Sequence, residues 1–290
     1  MKYIIHILFL IVSFGAFGQS NPLSSALRLY QEGQLEEAKQ LIDSALQEEV
    51  NQSQMVAYYI KGFIYKDIFK NNPTAANKNL RAQAIQCFFQ VIRMDEEGRY
   101  LAETKQSIKY LTSTYYNDAM VMIQAERFED AINSYYKFDS LAEILPDSSL
   151  VTDSARDQFY LALGIGYADE DVQQKGSVYF DKAENAFKIV LANDSLNEVA
   201  NYSLGVLYYN EAVNRILELN FDEELDEFDK FEDDTIELFK KALPYMQNAY
   251  EQDPEDENVI EGLAGIHHGL RDFDNYERYM KELKALRKDG

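Results

Sequence analysis

Apolar and small residues recur along this chain at the three- and four-residue spacing of an amphipathic helix. In the segment "KKALPYMQNAYEQDPEDENV", residues 240–259, Ala242, Met246 and Ala249 fall at i, i+4 and i+7 and share one helix face. The pattern stops before Pro254, because a proline disfavours the helical conformation of the residue that precedes it. Since the 290 residues include only five prolines and 13 glycines, we expect a mostly helical chain.

The pattern of an alanine, three residues, a large apolar residue, two residues and a small or apolar residue occurs four more times. It is found at Ala38–Ile42–Ala45, Ala84–Phe88–Val91, Ala131–Tyr135–Phe138 and Ala183–Phe187–Val190. A second pattern, Gly-x-x-Tyr, lies upstream of three repeats, as "GFIY" at 62–65, "GIGY" at 164–167 and "GVLY" at 205–208. Looser versions have Ala26, Ala119 and Ala264 at the small position. Where no extra residues intervene, successive small positions are 12 and 22 residues apart, which gives a period of 34.

This period and these residue types resemble the tetratricopeptide repeat, a helical hairpin repeated in tandem. The resemblance covers about residues 20–289, with first helices expected near 20–32, 53–69, 100–125, 153–170, 197–214 and 257–270. It implies an all-α fold, a right-handed superhelical α-solenoid of about six hairpins, because one hairpin cannot bury its apolar face alone. We expect Gly62, Gly164 and Gly205 to allow close packing of the two helices in their units.

Three units carry extra residues between their two helices, which lengthens the 12-residue spacing to 22, 19 and 37 residues. We expect these additions to project from one edge of the stack, and the largest of them is an acidic insertion at 215–237. Pro244 lies inside an expected helix, which leaves the start of that helix open. Extra residues also separate the third unit from the fourth, and 144–154 is the predicted joint.

Within the acidic insertion, the stretch "FDEELDEFDKFEDDTIE" at 221–237 holds ten acidic residues and one lysine. Clustered carboxylates favour calcium, but the stretch lacks the loop glycine and the alternating ligands of an EF-hand. An amphipathic acidic helix or a mobile loop is the preferred interpretation. A docking site for a basic partner is the other alternative.

Residues 1–18 have the pattern of a cleaved secretory signal. Lys2 precedes the apolar run "YIIHILFLIVSF", and Ala16 and Gly18 form an A-x-G cleavage pattern. Because the run is short for a membrane span, we favour cleavage over an uncleaved anchor. Residues 19–290 are then expected to form an exported domain, periplasmic or secreted, without a membrane span. With Gln19 after a signal that ends in glycine, and a Tyr-rich and Asn-rich chain beyond it, the sequence resembles a bacterial envelope protein.

The charge and the reactive side chains exclude several function classes. With 28 basic and 50 acidic residues the net charge is −22, which disfavours nucleic acid and anionic lipid as partners. Cys87 lies in a helical pattern, which indicates a buried apolar residue rather than a reactive thiol. His267 and His268 would point about 100° apart on a helix, poorly placed to chelate one metal. We find no phosphate-loop or hydrolase motif, and we expect no enzyme activity, metal or cofactor.

The resemblance also implies a binding role, since members of this repeat family generally hold peptides on the face lined by the first helices. Carrying those positions over predicts a Tyr-rich groove formed by Tyr30, Tyr59, Phe63, Lys66, Tyr116, Met120, Leu161, Ile165, Tyr202 and Tyr209. Tyrosine suits an interface because it combines broad apolar contact with a hydroxyl group. The alternative is that several of these aromatic residues pack against a neighbouring helix. The Lys and Asn cluster with which chaperone-docking members hold a C-terminal carboxylate is not reproduced.

The sequence therefore predicts a non-catalytic scaffold of the cell envelope that binds an unidentified protein or peptide. One alternative is a carbohydrate-associated module, because tyrosine rings also stack on sugars. Another is a helical accessory subunit of an envelope enzyme.

Overall fold

Helices make up all the regular structure in the part of the chain that the computed structural model describes, residues 21–145, 153–174, 177–218 and 225–289. They are α1 (Pro22–Gln31), α2 (Leu35–Ala45), α3 (Glu49–Gln52), α4 (Met55–Asn71), α5 (Lys78–Met94), α6 (Leu101–Gln124), α7 (Phe128–Ile144), α8 (Asp153–Gln174), α9 (Ser177–Asn193), α10 (Glu198–Glu218), α11 (Leu225–Gln252), α12 (Glu257–Gly269) and α13 (Phe273–Asp289). A 3-10 helix, Ala75–Asn77, precedes α5. The predicted all-α class is confirmed.

The helices follow the predicted order of six hairpins. The first helices are α1, α4, α6, α8, α10 and α12, and each begins within two residues of its predicted start. The second helices are α2, α5, α7, α9, α11 and α13, and the short α3 is an additional turn after α2. The last turn of α11 ends at Gln252, as the position of Pro254 predicted.

The chain forms two compact units, and the division between them falls within α6, between Thr114 and Tyr115. The first unit contains the α1/α2 and α4/α5 hairpins, and the second contains the α8/α9, α10/α11 and α12/α13 hairpins. Successive hairpins stack inside each unit, because α2 contacts α4, α9 contacts α10 and α11 contacts α12. Stacking covers the apolar side that a single hairpin leaves open.

The two sequence patterns meet inside the hairpins. Gly62 of α4 faces the ring of Phe88 on α5, and a Cβ atom added to Gly62 would lie 2.7 Å from Phe88 Cε1. Real Cβ atoms are essentially never that close, so only a glycine fits unless the ring moves. The same relation recurs in two later hairpins, at 2.6 Å for Gly164 with Phe187 and at 2.9 Å for Gly205 with Met246. The small-residue packing that the sequence predicted is therefore present.

The tyrosines of the Gly-x-x-Tyr pattern make contacts between hairpins. The hydroxyl of Tyr65 donates to Asp43 Oδ1 on α2 at 2.5 Å, and that of Tyr208 donates to Glu184 on α9. Tyr167 packs against Phe128 of α7, with 4.5 Å between the ring centroids. Each tyrosine thus contacts the second helix of the preceding hairpin, while the glycine three residues earlier contacts its own hairpin partner.

The three hairpins without extra residues turn through one backbone motif. The residue seven positions after the small residue has a positive φ, with values of 79° at Gly33, 58° at Glu126 and 59° at Arg271. In the first turn, the amide of Gly33 donates to the Tyr30 carbonyl and the next amide donates to the Leu29 carbonyl. This pair of bonds is the Schellman arrangement that satisfies the last carbonyls of a helix.

The additional residues in the other three hairpins mostly lengthen helices. The helices α1 and α2 have 10 and 11 residues, whereas α4 and α5 have 17 each and α8 has 22. The second half of the acidic insertion is part of α11, which has 28 residues and continues through Pro244. The additions therefore extend the hairpins largely as continued helix rather than as separate loops.

Some sequence predictions fall on residues whose structure is not described. The predicted signal, residues 1–18, lies outside the described residues, as does most of the predicted joint at 144–154. Among the described helices, none has both the length and the apolar composition needed to cross a membrane.

Candidate partner-binding face

On three first helices, four residues have the same spacing from the glycine at 62, 164 or 205. One lies three positions before the glycine, and the others lie one, four and eight positions after it. At about 100° per residue these four positions fall within about 60° of the helix circumference. We call this set of residues the first-helix face. It comprises Tyr59, Phe63, Lys66 and Lys70 on α4, Leu161, Ile165, Ala168 and Val172 on α8, and Tyr202, Val206, Tyr209 and Val213 on α10.

On α4, Tyr59 is a half-buried residue that links the start of α6 to the face. Its ring centroid lies 4.7 Å from the centroids of both Phe63 and Tyr100. Its hydroxyl donates to Glu103 Oε2 at 2.5 Å. Burial and the adjacent Glu103 carboxylate raise the pKa of Tyr59 well above its usual range. The aromatic ring is thus partly covered before any partner binds.

Phe63 departs from the prediction that the groove residues are partly exposed in the free protein. It is buried, and its ring meets that of Phe88 edge to face with 5.1 Å between centroids. The reason is that the position next to Gly62 lies close to α5 in a tightly packed hairpin. Phe63 is therefore a core residue that packs between the Phe88 ring and the side chains of Tyr59 and Lys66 on the face.

Lys66 covers the ring of Phe63, with its Nζ 4.2 Å from the ring centroid. Its side chain is only 17% exposed, and Asp67 Oδ1 lies 3.5 Å from Nζ. Burial lowers the pKa of Lys66, and the neighbouring Asp67 opposes this only in part. Lys66 is thus held as a largely desolvated cation beside aromatic rings.

Tyr30 on α1 is joined to α4 through the same carboxylate. Its hydroxyl donates to Asp67 Oδ2 at 2.6 Å, and the ring is half-buried. Burial and Asp67 raise the pKa of Tyr30 above its usual range. The first unit therefore brings together four of the predicted residues, Tyr30, Tyr59, Phe63 and Lys66. It adds Lys70, which was not predicted and whose Nζ lies 5.9 Å from the Tyr110 ring centroid.

In the second unit, Tyr116 packs on neighbouring helices, as the alternative interpretation held. Its ring lies 5.2 Å from that of Phe138 on α7, between centroids, and its hydroxyl donates to the Ala155 carbonyl on α8 at 3.2 Å. Burial raises its pKa. Met120, one helical turn later, is half-buried.

Tyr202 and Tyr209 lie two turns apart on α10 and are both half-buried. Tyr209 packs against Gly265 of α12, where an added Cβ atom would lie 2.7 Å from the tyrosine hydroxyl oxygen. Burial raises the pKa of Tyr202, as do Asp256 and Glu261 at the start of α12. The side of α10 that bears these tyrosines is therefore partly covered by the next first helix.

The most exposed apolar residues of the face lie on α8. Ile165 is 43% exposed and Val172 is 62% exposed, with Leu161 and Ala168 half-buried beside them. The sequence interpretation named Leu161 and Ile165 but missed Val172, together with Ala168 and the two valines of α10. The offset from the glycine was the signal that could have found them, because it is the same on the three first helices that carry this glycine.

Charge is divided unequally between the two units. Residues 1–114 hold 12 basic and 11 acidic residues, whereas residues 115–290 hold 16 basic and 39 acidic residues. The first unit therefore has a net charge of +1 and the second a net charge of −23, so the negative charge arises in the second unit.

The described part of the acidic insertion packs as ordinary helix. Thr235 is buried, and its hydroxyl donates to the Phe231 carbonyl at 2.8 Å. Glu232 receives a hydrogen bond from Arg271 at 2.5 Å, which joins α11 to the turn after α12. Residues 231–237 therefore fit the predicted amphipathic acidic helix.

The candidate reactive side chains are structural where the structure describes them. Cys87 is buried, and burial raises the pKa of its thiol to about 11, so the thiol is the stable form at neutral pH. His267 is buried with its Nδ1 3.0 Å from Asp272 Oδ2, whereas His268 is exposed. Within the described ranges, no group of three or more His, Cys, Asp or Glu side chains is placed to hold a metal ion.

Comparison with known proteins gives little beyond this geometry. No family model matches the chain, and a search of curated proteins finds no relative. Among solved structures, the chain is similar to one described as the human IFIT1 dimer with m7Gppp-AAAA. The match has 15% sequence identity and a TM-score of 0.38, and it covers 93% of this chain and 69% of that chain. At that score, neither the fold nor the function of this chain is inferred from the match.

Proposed function

We propose that this protein is a non-catalytic scaffold that holds a segment of another protein on its first-helix face. The observation that carries the proposal is an exposed apolar ridge on α8, formed by Leu161, Ile165, Ala168 and Val172. Ile165 and Val172 are each more than 40% exposed. Solvent-exposed apolar side chains that share one helix face are typical of interaction sites in soluble repeat proteins.

The same positions on α10 support the proposal. Tyr202, Val206, Tyr209 and Val213 have the offsets of the α8 ridge, and α8 contacts α10 within one unit. Two adjacent helices with apolar residues in matching register offer a surface wide enough for an extended or helical segment.

We further propose that the protein works in the cell envelope after export, because residues 1–18 have the pattern of a cleaved signal. We propose no catalysis, since neither Cys87 nor His267 is placed as a reactive group. Nucleic acid is disfavoured as a partner by the strongly acidic second unit, because phosphates would be repelled. The m7Gppp-AAAA in the IFIT1 structure does not alter this, given the low similarity.

A sugar-binding module and an enzyme accessory subunit are less well supported than a protein-binding scaffold. Stacking on a sugar needs an open tyrosine ring, whereas Tyr59 and Tyr116 are half-buried against other aromatic rings. No observation on the described residues favours an enzyme as the partner over another protein.

The test is capture of partners from an envelope fraction, followed by peptide and glycan arrays with the same purified protein. The wild-type chain is compared with a variant carrying Ile165→Ser and Val172→Ser, and with the control Val178→Ser. Val178 is 64% exposed on the second helix α9, so it matches Val172 in chemistry and exposure but not in position. We expect peptide binding that the double variant loses and the control keeps. Binding confined to the glycan array, or equal loss in the control, would contradict the proposal.

A further inference from the structure

We propose that the first-helix face of the second unit takes a cationic amphipathic segment, with one apolar side flanked by lysine or arginine. This rests on the proposed function and names the chemistry of its partner. Two independent features carry it, the sign of the charges on the first helices and the apolar ridge on α8.

The sign of the charge reverses along the series of first helices. Helix α8 has five acidic residues and one basic residue, and α10 has three acidic residues and one basic residue. Helix α12 has two acidic residues and no lysine or arginine. In the first unit, α1 has one basic residue and no acidic residue, and α4 has three basic residues and one acidic residue. Although Asp157 and Glu170 of α8 are buried, the face-bearing helices α8 and α10 keep an acidic excess, in a unit that holds 39 acidic and 16 basic residues. This excess favours a partner of positive charge.

The apolar ridge sets the length and shape of the partner. From Leu161 to Val172 the ridge covers twelve residues of α8, a rise of about 16 Å or three helical turns. Leu161, Ile165, Ala168 and Val172 follow the spacing i, i+4, i+7 and i+11, which is the spacing of one side of a helix. A short amphipathic segment of about three turns would match it.

Carboxylates lie near the apolar positions of the face on both α8 and α10. Asp169 is exposed on α8 between Ile165 and Val172. Glu261 on α12 acts electrostatically on the hydroxyl of Tyr202 on α10, and it also accepts a hydrogen bond from Arg287 at 2.8 Å. A lysine or arginine beside the apolar side of a bound segment would have Asp169 as its partner.

A third carboxylate group adds to the negative potential near α8. The amide of Phe180 donates to Asp171 Oδ1 at 3.1 Å, yet burial and the nearby Glu211 and Asp181 raise the pKa of Asp171. Like charges on α8, α9 and α10 therefore repel one another in the free protein.

The experiment measures the binding of three synthetic peptides to the full-length protein by fluorescence anisotropy. The first is a three-turn helix pattern of leucine and lysine. This is the Leu/Lys peptide. The second, the Leu/Glu peptide, replaces lysine by glutamate, and the third, the Ser/Lys peptide, replaces leucine by serine. We expect the Leu/Lys peptide to bind at least about tenfold more tightly than either of the others, because binding needs both the charge and the apolar side.

Variants locate the binding on the face. Val172→Ser is compared with Val178→Ser, and Asp169→Asn is compared with Asp234→Asn, an exposed aspartate on the second helix α11. We expect Val172→Ser to weaken Leu/Lys binding about tenfold and Asp169→Asn to weaken it severalfold, with both controls unchanged.

The outcomes separate this inference from the proposed function. If the Leu/Glu peptide binds equally well and its binding is lost in Val172→Ser, the face binds peptides but the cationic preference is wrong. If the Ser/Lys peptide binds as tightly as the Leu/Lys peptide, the attraction is to charge alone and the ridge plays no part. If Val172→Ser changes no peptide's binding, both this inference and the proposed function are contradicted.

Discussion

Gly62 lies against the face of the Phe88 ring, where an added Cβ atom would be 2.7 Å from Cε1, 2.9 Å from Cδ1 and 3.0 Å from Cζ. Three atoms of one rigid ring block the space, and Phe88 is completely buried, so the ring has nowhere to move. The same arrangement of Gly164 and Phe187 shows that the contact is a repeated feature of the hairpins.

Gly62→Ala is expected to lower the free energy of unfolding by about 1–3 kcal/mol, because the methyl group overpacks the Phe88 ring. The loss should exceed the gain of roughly 1 kcal/mol that alanine brings to a helix interior. Denaturant unfolding of the isolated protein measures it. Adding Phe88→Leu to the variant should recover part of the loss, which a double-mutant cycle would show as coupling.

Gly205→Ala serves as the comparison. Its nearest neighbour is Met246 Cε at 2.9 Å, the flexible end of a side chain that can shift, whereas Met246 Cβ and the Met246 backbone nitrogen are further away at 3.3 Å. We expect a smaller loss than for Gly62→Ala. Equal losses at the two sites would show that ring rigidity does not set the cost.

Gly33→Ala should destabilise the first hairpin by about 1 kcal/mol, since the φ of 79° at Gly33 is unfavourable for a residue with a Cβ atom. Glu126 has a φ of 58° in the equivalent turn, so Glu126→Gly should raise stability by a few tenths of a kcal/mol or more. Thermal unfolding of both variants checks the pair. A shift of the same sign in both would contradict the shared turn geometry.

Tyr208→Phe removes the hydroxyl that donates to Glu184 and should cost about 1 kcal/mol of unfolding free energy. The control is Tyr209→Phe, one residue later, where the half-buried ring lies on the first-helix face. Equilibrium unfolding at neutral pH compares them. A larger effect at Tyr209 would mean that the contact between hairpins is not made through Tyr208.

The pH dependence of stability provides a second readout of the Tyr208–Glu184 pair. Burial and the hydrogen bond to Glu184 raise the pKa of Tyr208 above 10.0, so this stabilisation is complete below pH 10 and is lost as the pH rises above it. Burial opposes ionisation of Glu184, but hydrogen bonds from Tyr208 and Lys188 lower its pKa below 4.5. That contribution is present above pH 4.5 and is lost as the pH falls. Tyr208→Phe should flatten both limbs of the stability profile.

Phe63→Ala should lower the free energy of unfolding by about 3–5 kcal/mol, because the buried ring packs on Phe88. Val172→Ser should change it by less than about 0.5 kcal/mol, since that side chain is 62% exposed. Melting curves separate the two. A small effect at Phe63 would return it to the exposed groove in which the sequence first placed it.

Calcium titration should reveal no site tighter than about the millimolar range of weak carboxylate clusters. The physical reason is that Glu232, Asp233, Asp234 and Glu237 lie along a helix, where side chains spread around the axis instead of converging on one ion. Isothermal calorimetry on the full chain measures this. A micromolar site would show that residues 221–237 form a calcium-binding element.

The hairpins were readable from the sequence because their determinants are local. Helical periodicity and the stop at Pro254 act within one or two turns of the chain, and the 34-residue period repeats one hairpin of such helices. The contact between Gly62 and Phe88 was also anticipated in kind, because two helices that approach closely need a small residue opposite a large one.

The surroundings of the face depended on contacts distant in sequence. The sequence placed Phe63 in the groove, but the packing of α4 on α5 buried it. The sequence left open whether Tyr116 faces a groove or a neighbour, and its contacts with α7 and α8 settle its position. The added residues could not be assigned to loop or helix from spacing alone, because spacing counts residues and does not record how far each helix continues.

The sequence by itself therefore determined the order of the helices, because helical periodicity and helix stops act over a few turns of the chain. It also anticipated the small-to-large contact in kind, because the repeat pattern marks a small position on one helix and a large one on the other. The tertiary structure decided which face residues are covered, such as Phe63, and which stay open, such as Val172. It did so because burial is a property of the stacked hairpins, and the neighbours that cover a side chain come from elements tens of residues away.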